Sequence, residues 1–169
     1  MKQQLYLLRH ATAEPWSPLG NDFSRSLSPS GTRHAQLVAG WVLETLAPPD
    51  TILCSPAKRT RETLAPILAH WPKLLSTTDY IDSMYGASLN MLMTLARDAF
   101  SYSERIFMVG HNPAVTEILL NVLQQSQAAS IQHMAPGTLV TIEFSSGFKW
   151  DAHNGELLHL VQRQDFPDH

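Results

Sequence analysis

Two arginines and two histidines stand at the ends of short apolar runs in this chain. Arg9-His10 closes Leu5-Tyr6-Leu7-Leu8. Arg59 lies four residues beyond Ser55, which follows Thr51-Ile52-Leu53-Cys54. His111 follows Ile106-Phe107-Met108-Val109-Gly110. Apolar runs of this length read as buried strands, and open α/β sheets bind their ligands at the carboxyl ends of the strands. If the strands are parallel, all three ends share one edge. Two Arg and two His meeting there suit a phosphoryl group. A guanidinium offers a planar fork of donors to phosphate oxygens, and a neutral imidazole offers a nucleophilic nitrogen. Helices starting after Ser55 and at Pro113 would add free N–H groups and a positive dipole end.

Each residue also has a plainer reading. A lone His after a strand is usually a loop or core residue, and a lone Arg on a helix is usually solvated. The shared position at strand ends is what favours chemistry. Other phosphate chemistries fit less well. No Gly-x-x-x-x-Gly-Lys-Ser/Thr segment occurs, so there is no P-loop. The run from Cys54 to Arg59 has four intervening residues where a cysteine-phosphatase loop needs five, so Cys54 reads as a buried strand residue. No clustered Cys/His spacing points to zinc. We expect no cofactor and no metal, because the arginines supply the positive charge.

The elements that must position these residues alternate between strand and helix. That order favours a three-layer α/β/α sandwich with a mainly parallel central sheet. Strands are expected at 4–9, 51–54, 105–110, 139–144 and 157–161, with a weaker one at 74–78. Residues 15–30 read as a loop and 145–155 as a turn-rich join. A helix over 31–46 would bury Ala35, Val38, Trp41, Val42 and Leu46 and stop at Pro48-Pro49. Ser55 is expected to cap the next helix with Pro56 at its first position, and Pro66 to kink or shorten it. Further helices are expected at 88–99 and 113–124.

The 169 residues suffice for one domain, 1–169. The net charge of -3 argues against a nucleic-acid or anionic-membrane partner, since both need a basic face. One cysteine excludes an intrachain disulfide. With no apolar stretch long enough to span a bilayer and no basic-then-apolar leader, the expected compartment is the cytoplasm.

Three segments resemble the signatures of the histidine phosphatase superfamily, also called phosphoglycerate-mutase-like. They are Leu8-Arg9-His10-Ala11, Ser55-Pro56-Ala57-Lys58-Arg59-Thr60 with Glu62-Thr63, and Val109-Gly110-His111-Asn112-Pro113. The segment Asp22-Phe23-Ser24-Arg25-Ser26-Leu27-Ser28-Pro29-Ser30-Gly31 is similar to the Asp-x-x-Arg-x-Leu-Ser/Thr-x-x-Gly element of the SixA-type phosphohistidine phosphatase branch, and Ala11 fits that branch too. The resemblance runs from residue 5 to about 125.

It implies that His10 attacks phosphorus and is phosphorylated, that Arg9, Arg59 and His111 hold the phosphoryl oxygens, and that water then releases phosphate. It also implies substrate-binding roles for Arg25 and Asn112. Arg25 has an equally weighted alternative as a loop residue paired with Asp22. In ester-cleaving members a carboxyl group stands four residues before a Gly; Asp82, before Gly86, occupies that place as a candidate general acid, or is a solvated loop residue. The short span between Gly31 and Gly110 leaves little room for a large helical lid. The expected partner is therefore a phosphorylated protein carrying phosphohistidine on a phosphotransfer domain. A small phosphorylated metabolite handled by a phosphatase or phosphomutase is the alternative, and a non-catalytic phosphate-binding module is the reading from a different class.

Overall fold

Alternation along the strands divides the core in two. The structure, a computed structural model, describes residues 2–145 and 153–166. In β1 (Gln3–Arg9), Leu5 and Leu7 face one layer while Tyr6 and Leu8 face the other; in β4 (Arg105–Gly110), Ile106 and Met108 oppose Phe107 and Val109 in the same way. Side chains of successive strand residues point to opposite faces, so both faces of these strands are apolar and both are covered. Burying each such side chain stabilises the fold by about 1.5–3 kcal/mol.

The sheet has the order β3-β2-β4-β1-β5-β6, with β2 (Thr51–Cys54), β3 (Thr78–Tyr80), β5 (Leu139–Phe144) and β6 (Glu156–Val161). β1, β2, β3 and β4 pair in parallel, and β5 runs antiparallel to both β1 and β6. Helices α1 (Pro29–Thr45) and α2 (Lys58–His70) cover one face. Helices α3 (Leu89–Phe100) and α4 (Ala114–Val122) cover the other, followed by the single turn α5 (Gln125–Ala128). The expected three-layer sandwich with a mainly parallel sheet is the observed fold. Among the described residues no helix is long and apolar enough to cross a membrane.

Local chemistry moves several boundaries. Helix α1 starts at Pro29 rather than 31, because the Ser28 side chain accepts from the Gly31 N–H at 3.0 Å and Pro29 suits the first turn. Gly31 itself lies against Thr12, where a Cβ would run into the carbonyl oxygen. Ser55 is not the cap of α2. That position falls to Ala57, with no side-chain cap; the Ser55 hydroxyl lies 2.7 Å from His111 Nε2 and accepts from the Ala57 N–H at 3.4 Å, short of the helix's first turn. Pro66 sits inside α2, which continues to His70. The strand expected at 74–78 is a 3-10 stretch over Pro72–Thr77, and β3 follows it. Helix α4 ends at Val122 rather than 124. Most of the turn-rich join expected at 145–155 lies outside the described residues.

Candidate active site

The sheet order places the ends of β2, β4 and β1 side by side. Arg9 lies opposite Gly110 and Cys54 opposite Val109 in the parallel register. The chain leaves these strands tied to its neighbours: the His10 N–H donates to the Gly110 carbonyl at 3.1 Å, and the Ser55 N–H to the Val109 carbonyl at 3.0 Å. On the other side the Gly137 N–H donates to the carbonyls of both Arg9 and His10. The backbone carrying Arg9 and His10 is therefore held from both flanks.

His10 is buried, 9% exposed. Its Nδ1 lies 2.7 Å from the Ala11 carbonyl, and Arg59 Nε–H donates to its Nε2 at 3.3 Å. A carbonyl only accepts and a guanidinium only donates. These two contacts select the neutral tautomer with the proton on Nδ1 and the lone pair on Nε2. Burial first, and then the nearby Arg59 and Arg9 charges, push the His10 pKa down to about 4. The imidazole is a free base at neutral pH.

His111 packs beside it with ring centroids 5.2 Å apart. Its Nε2 is 2.7 Å from the Ser55 hydroxyl, and its buried Nδ1 has no partner among the described residues. Burial, with the Arg59 charge second, pushes its pKa down to about 3. Arg9 Nη1 donates to the Met134 carbonyl at 2.8 Å, and its Nε is buried with no hydrogen-bond partner among the described residues. Arg59 comes from the first turn of α2 and is 5% exposed. Cys54 is fully buried, and burial pushes its thiol up to about 12, so it presents no thiolate.

Arg9, His10, Arg59 and His111 thus meet at one sheet edge. The other three candidates are placed differently. Arg25 pairs with Asp22 at 2.8 Å and donates to the Glu14 carbonyl. Asn112 uses both ends of its amide within the fold: Nδ2 donates to the Met134 carbonyl at 2.9 Å, and Oδ1 accepts from Thr116. Asp82 is exposed at the head of a 3-10 turn, and its side chain makes no hydrogen bond or ion pair among the described residues.

Sequence reasoning missed the parts played by Asp22, Tyr85 and Ser55. Asp22 Oδ2 accepts from Arg59 at 2.9 Å and from the Tyr85 hydroxyl at 2.8 Å. The Tyr85 ring also meets the edges of Phe23 and His111. Asp22 was visible as part of a motif and as a partner for Arg25, the pair the structure shows. Nothing in sequence spacing announces that residues 22 and 85 touch. Among the described residues no three His, Cys, Asp or Glu side chains gather as a metal site.

A neutral imidazole with its lone pair beside a buried guanidinium, and a second guanidinium and imidazole at the same sheet edge, can hold an anion and present a nitrogen lone pair to it. Comparison with known proteins gives this arrangement its family. Residues 5–92 match the model of the histidine phosphatase superfamily (branch 1), more than half of the chain. The chain belongs to that superfamily.

An uncharacterized protein of Mycobacterium tuberculosis is 30% identical over 99 residues, 59% of this chain and 60% of that protein. The match therefore spans about three fifths of this curated relative's length. A candidate phosphohistidine phosphatase SixA from Agrobacterium tumefaciens superposes with a TM-score of 0.82 at 25% identity, covering 95% of this chain and 97% of that one. The protein histidine phosphatase SixA complexed with tungstate superposes with a TM-score of 0.76 at 15% identity, covering 96% and 99%. These likenesses establish the fold.

Proposed function

We propose that this chain is a metal-independent phosphatase that works through phospho-His10 and removes phosphate from histidine side chains of proteins. The observation that carries the reading is the His10 tautomer. Its Nδ1 proton is committed to Ala11, and its Nε2 lone pair faces the arginine that would hold the phosphoryl oxygens.

Each step follows from that geometry. His10 Nε2 attacks phosphorus; the Nε2–P bond forms as the phosphorus–nitrogen bond of the substrate breaks. The other nitrogen of the substrate ring takes a proton from solvent, so the ring leaves as neutral imidazole. Water then attacks the phosphohistidine, the Nε2–P bond breaks, and inorganic phosphate leaves a neutral His10. Phosphoryl transfer passes through a loose transition state with charge spread over the oxygens, so positioned cations do most of the work. Arg9, Arg59 and His111 are those positioned donors. The depressed His10 pKa keeps the nucleophile available without a separate base.

Protein phosphohistidine is favoured by the absence of a helical lid among the described residues over the sheet edge. Between β3 and α3 there is only a short 3-10 turn over Asp82–Met84, and no additional helical layer. A cover made of loop and one short turn, without a helical lid, leaves room for a side chain carried on another protein. Resemblance to the SixA-type branch, and the SixA proteins among the structural neighbours, point the same way.

A second reading, a small-molecule phosphomonoesterase, rests on Asp82. It lies on the same turn as Tyr85, which reaches the site. Alkoxide leaving groups need a proton donor more than imidazole does, and in this reading Asp82 would supply it. A purely binding module is disfavoured, because binding an anion needs no neutral nucleophile.

The test is a turnover comparison without added metal, between a phosphohistidine-bearing protein and a panel of sugar and glycerate phosphates. We expect kcat/KM at least tenfold higher on the phosphohistidine protein. Preference for a sugar or glycerate phosphate, with activity crippled by Asp82→Asn, would establish the second reading. Absence of hydrolysis on every substrate, including an aryl phosphate, would leave the binding module.

A further inference from the structure

Arg59, which touches His10, and Arg25 on the neighbouring loop already share an anion, and it belongs to the chain. The Asp22 carboxylate receives Arg59 Nη2 at 2.9 Å on Oδ2 and Arg25 Nε and Nη2 at 2.8 Å on Oδ1, and the Tyr85 hydroxyl donates to Oδ2 at 2.8 Å. The Asp22 backbone carbonyl takes Arg59 Nη1 at 2.8 Å as well. The same Arg59 guanidinium touches the His10 lone pair through Nε. A carboxylate is thus fastened to the cation that an incoming phosphoryl group must use, one guanidinium away from the nucleophile.

We propose that Asp22 is a built-in competitor of the phosphoryl group: it holds Arg59 and Arg25 as an internal counter-ion, and a bound phosphoryl group takes these arginines from it. The inference rests on the reading of this edge as a phosphate site. Charge decides the exchange. A phosphoryl dianion carries twice the charge of a carboxylate and offers three oxygens to the same forks, so it can displace Asp22 where a monoanion cannot.

The displaced carboxylate is half-exposed and recovers hydration, and it sits on a stretch that can yield. Residues 14–26 leave the β1 end and return at Leu27, which bridges Ala13; between these points the segment is neither helix nor strand. Its backbone ties near Asp22 are the Lys58 N–H to the Phe23 carbonyl, the Arg25 N–H to the Asp22 carbonyl, the Ser24 N–H to Asn21 Oδ1 and the Arg59 Nη1 bond already named. Hydrogen bonds from Tyr85, Arg25 and Arg59 keep the Asp22 pKa at about 2, so the competitor is ionised at any working pH. The device has two consequences. The site discriminates by ligand charge, and the returning carboxylate speeds the loss of product phosphate.

Equilibrium binding of inorganic phosphate and of tungstate at neutral pH, by calorimetry, tests this on the full chain. Asp22→Asn keeps the shape and removes the charge; Asp22→Ala removes the side chain. We expect both variants to bind both oxyanions at least fivefold more tightly than the unaltered chain. Equal binding would overturn the proposal. Weaker binding would also overturn it, and would show that Asp22 aligns Arg59 instead of competing for it. If neither the unaltered chain nor the variants bind, the proposal fails together with the phosphate site. Binding needs no turnover, so tighter binding by an inactive chain would separate this inference from the phosphatase reading.

Discussion

Arg59 donates from Nε to Nε2 of His10 across 3.3 Å. That contact is possible only if Nε2 carries no proton, so a cation and a base sit in contact without the base being charged. The arrangement suits a nucleophile that must stay neutral beside the groups that hold its anionic target.

The His10 ring should therefore titrate far below an ordinary histidine. Imidazole 15N NMR is expected to show the Nδ1-protonated neutral tautomer at pH 7 and a midpoint near 4. A midpoint near 6.5, or a proton on Nε2 at pH 7, would contradict the assigned hydrogen bonds.

Acid should weaken the fold in a defined window. His10 and His111 have folded pKa values of about 4 and about 3, below their unfolded value near 6.5. Between those limits the unfolded chain binds more protons than the folded one, so stability is full above pH 6.5 and declines as pH falls toward 4 and then 3. At pH 4.5 the loss is of order 2 kcal/mol from each ring. Asp22, lowered from 3.8 to about 2, adds its loss only below about pH 4. Urea midpoints at pH 7 and 4.5 check this: the midpoint should drop, and drop less in His111→Asn.

Ser55→Ala should cost both stability and activity. The hydroxyl is the one hydrogen-bond partner of the His111 imidazole among the described residues. Leaving that half-buried ring nitrogen without a protein partner costs about 1 kcal/mol, the low end of the range for an unmade hydrogen bond. A thermal unfolding scan should show a lower midpoint, and kcat/KM should fall about tenfold as His111 loses its orientation. Unchanged kcat/KM would show that His111 is held by packing alone.

Gly137→Ala should be worse than its size suggests. Gly137 has φ +76, a left-handed conformation that disfavours a Cβ, and an added Cβ would stand 2.5 Å from the His34 ring. The same residue donates its N–H to Arg9 and His10. We expect about 2 kcal/mol or more of destabilisation, read from the urea midpoint, with a loss of turnover. A wild-type midpoint would show that the 135–138 turn is free to re-form.

Legibility in the sequence tracked the range of the interactions. β1, β2 and β4 could be read because their apolar residues are contiguous, and Arg9, His10, Arg59 and His111 followed because strand ends of a parallel sheet share an edge. Ser55 is not the cap because the helix begins only after Ala57, two residues later, and a half-buried imidazole 56 residues away shares the hydroxyl with the Ala57 N–H. The contact between Asp22 and Tyr85 was invisible for the same reason, since it joins loops 63 residues apart. The 74–78 strand became a 3-10 stretch beginning at Pro72, and pairing with β2 started only at Thr78.

The central claim is that His10 takes the phosphate. Brief exposure to a phosphorylated substrate, alkaline quench and mass spectrometry of the digested chain test it directly. We expect one phosphate on His10, stable in base and lost in acid, with no adduct and no turnover in His10→Ala. Phosphate on another residue, or hydrolysis by His10→Ala at the unaltered rate, would contradict the account.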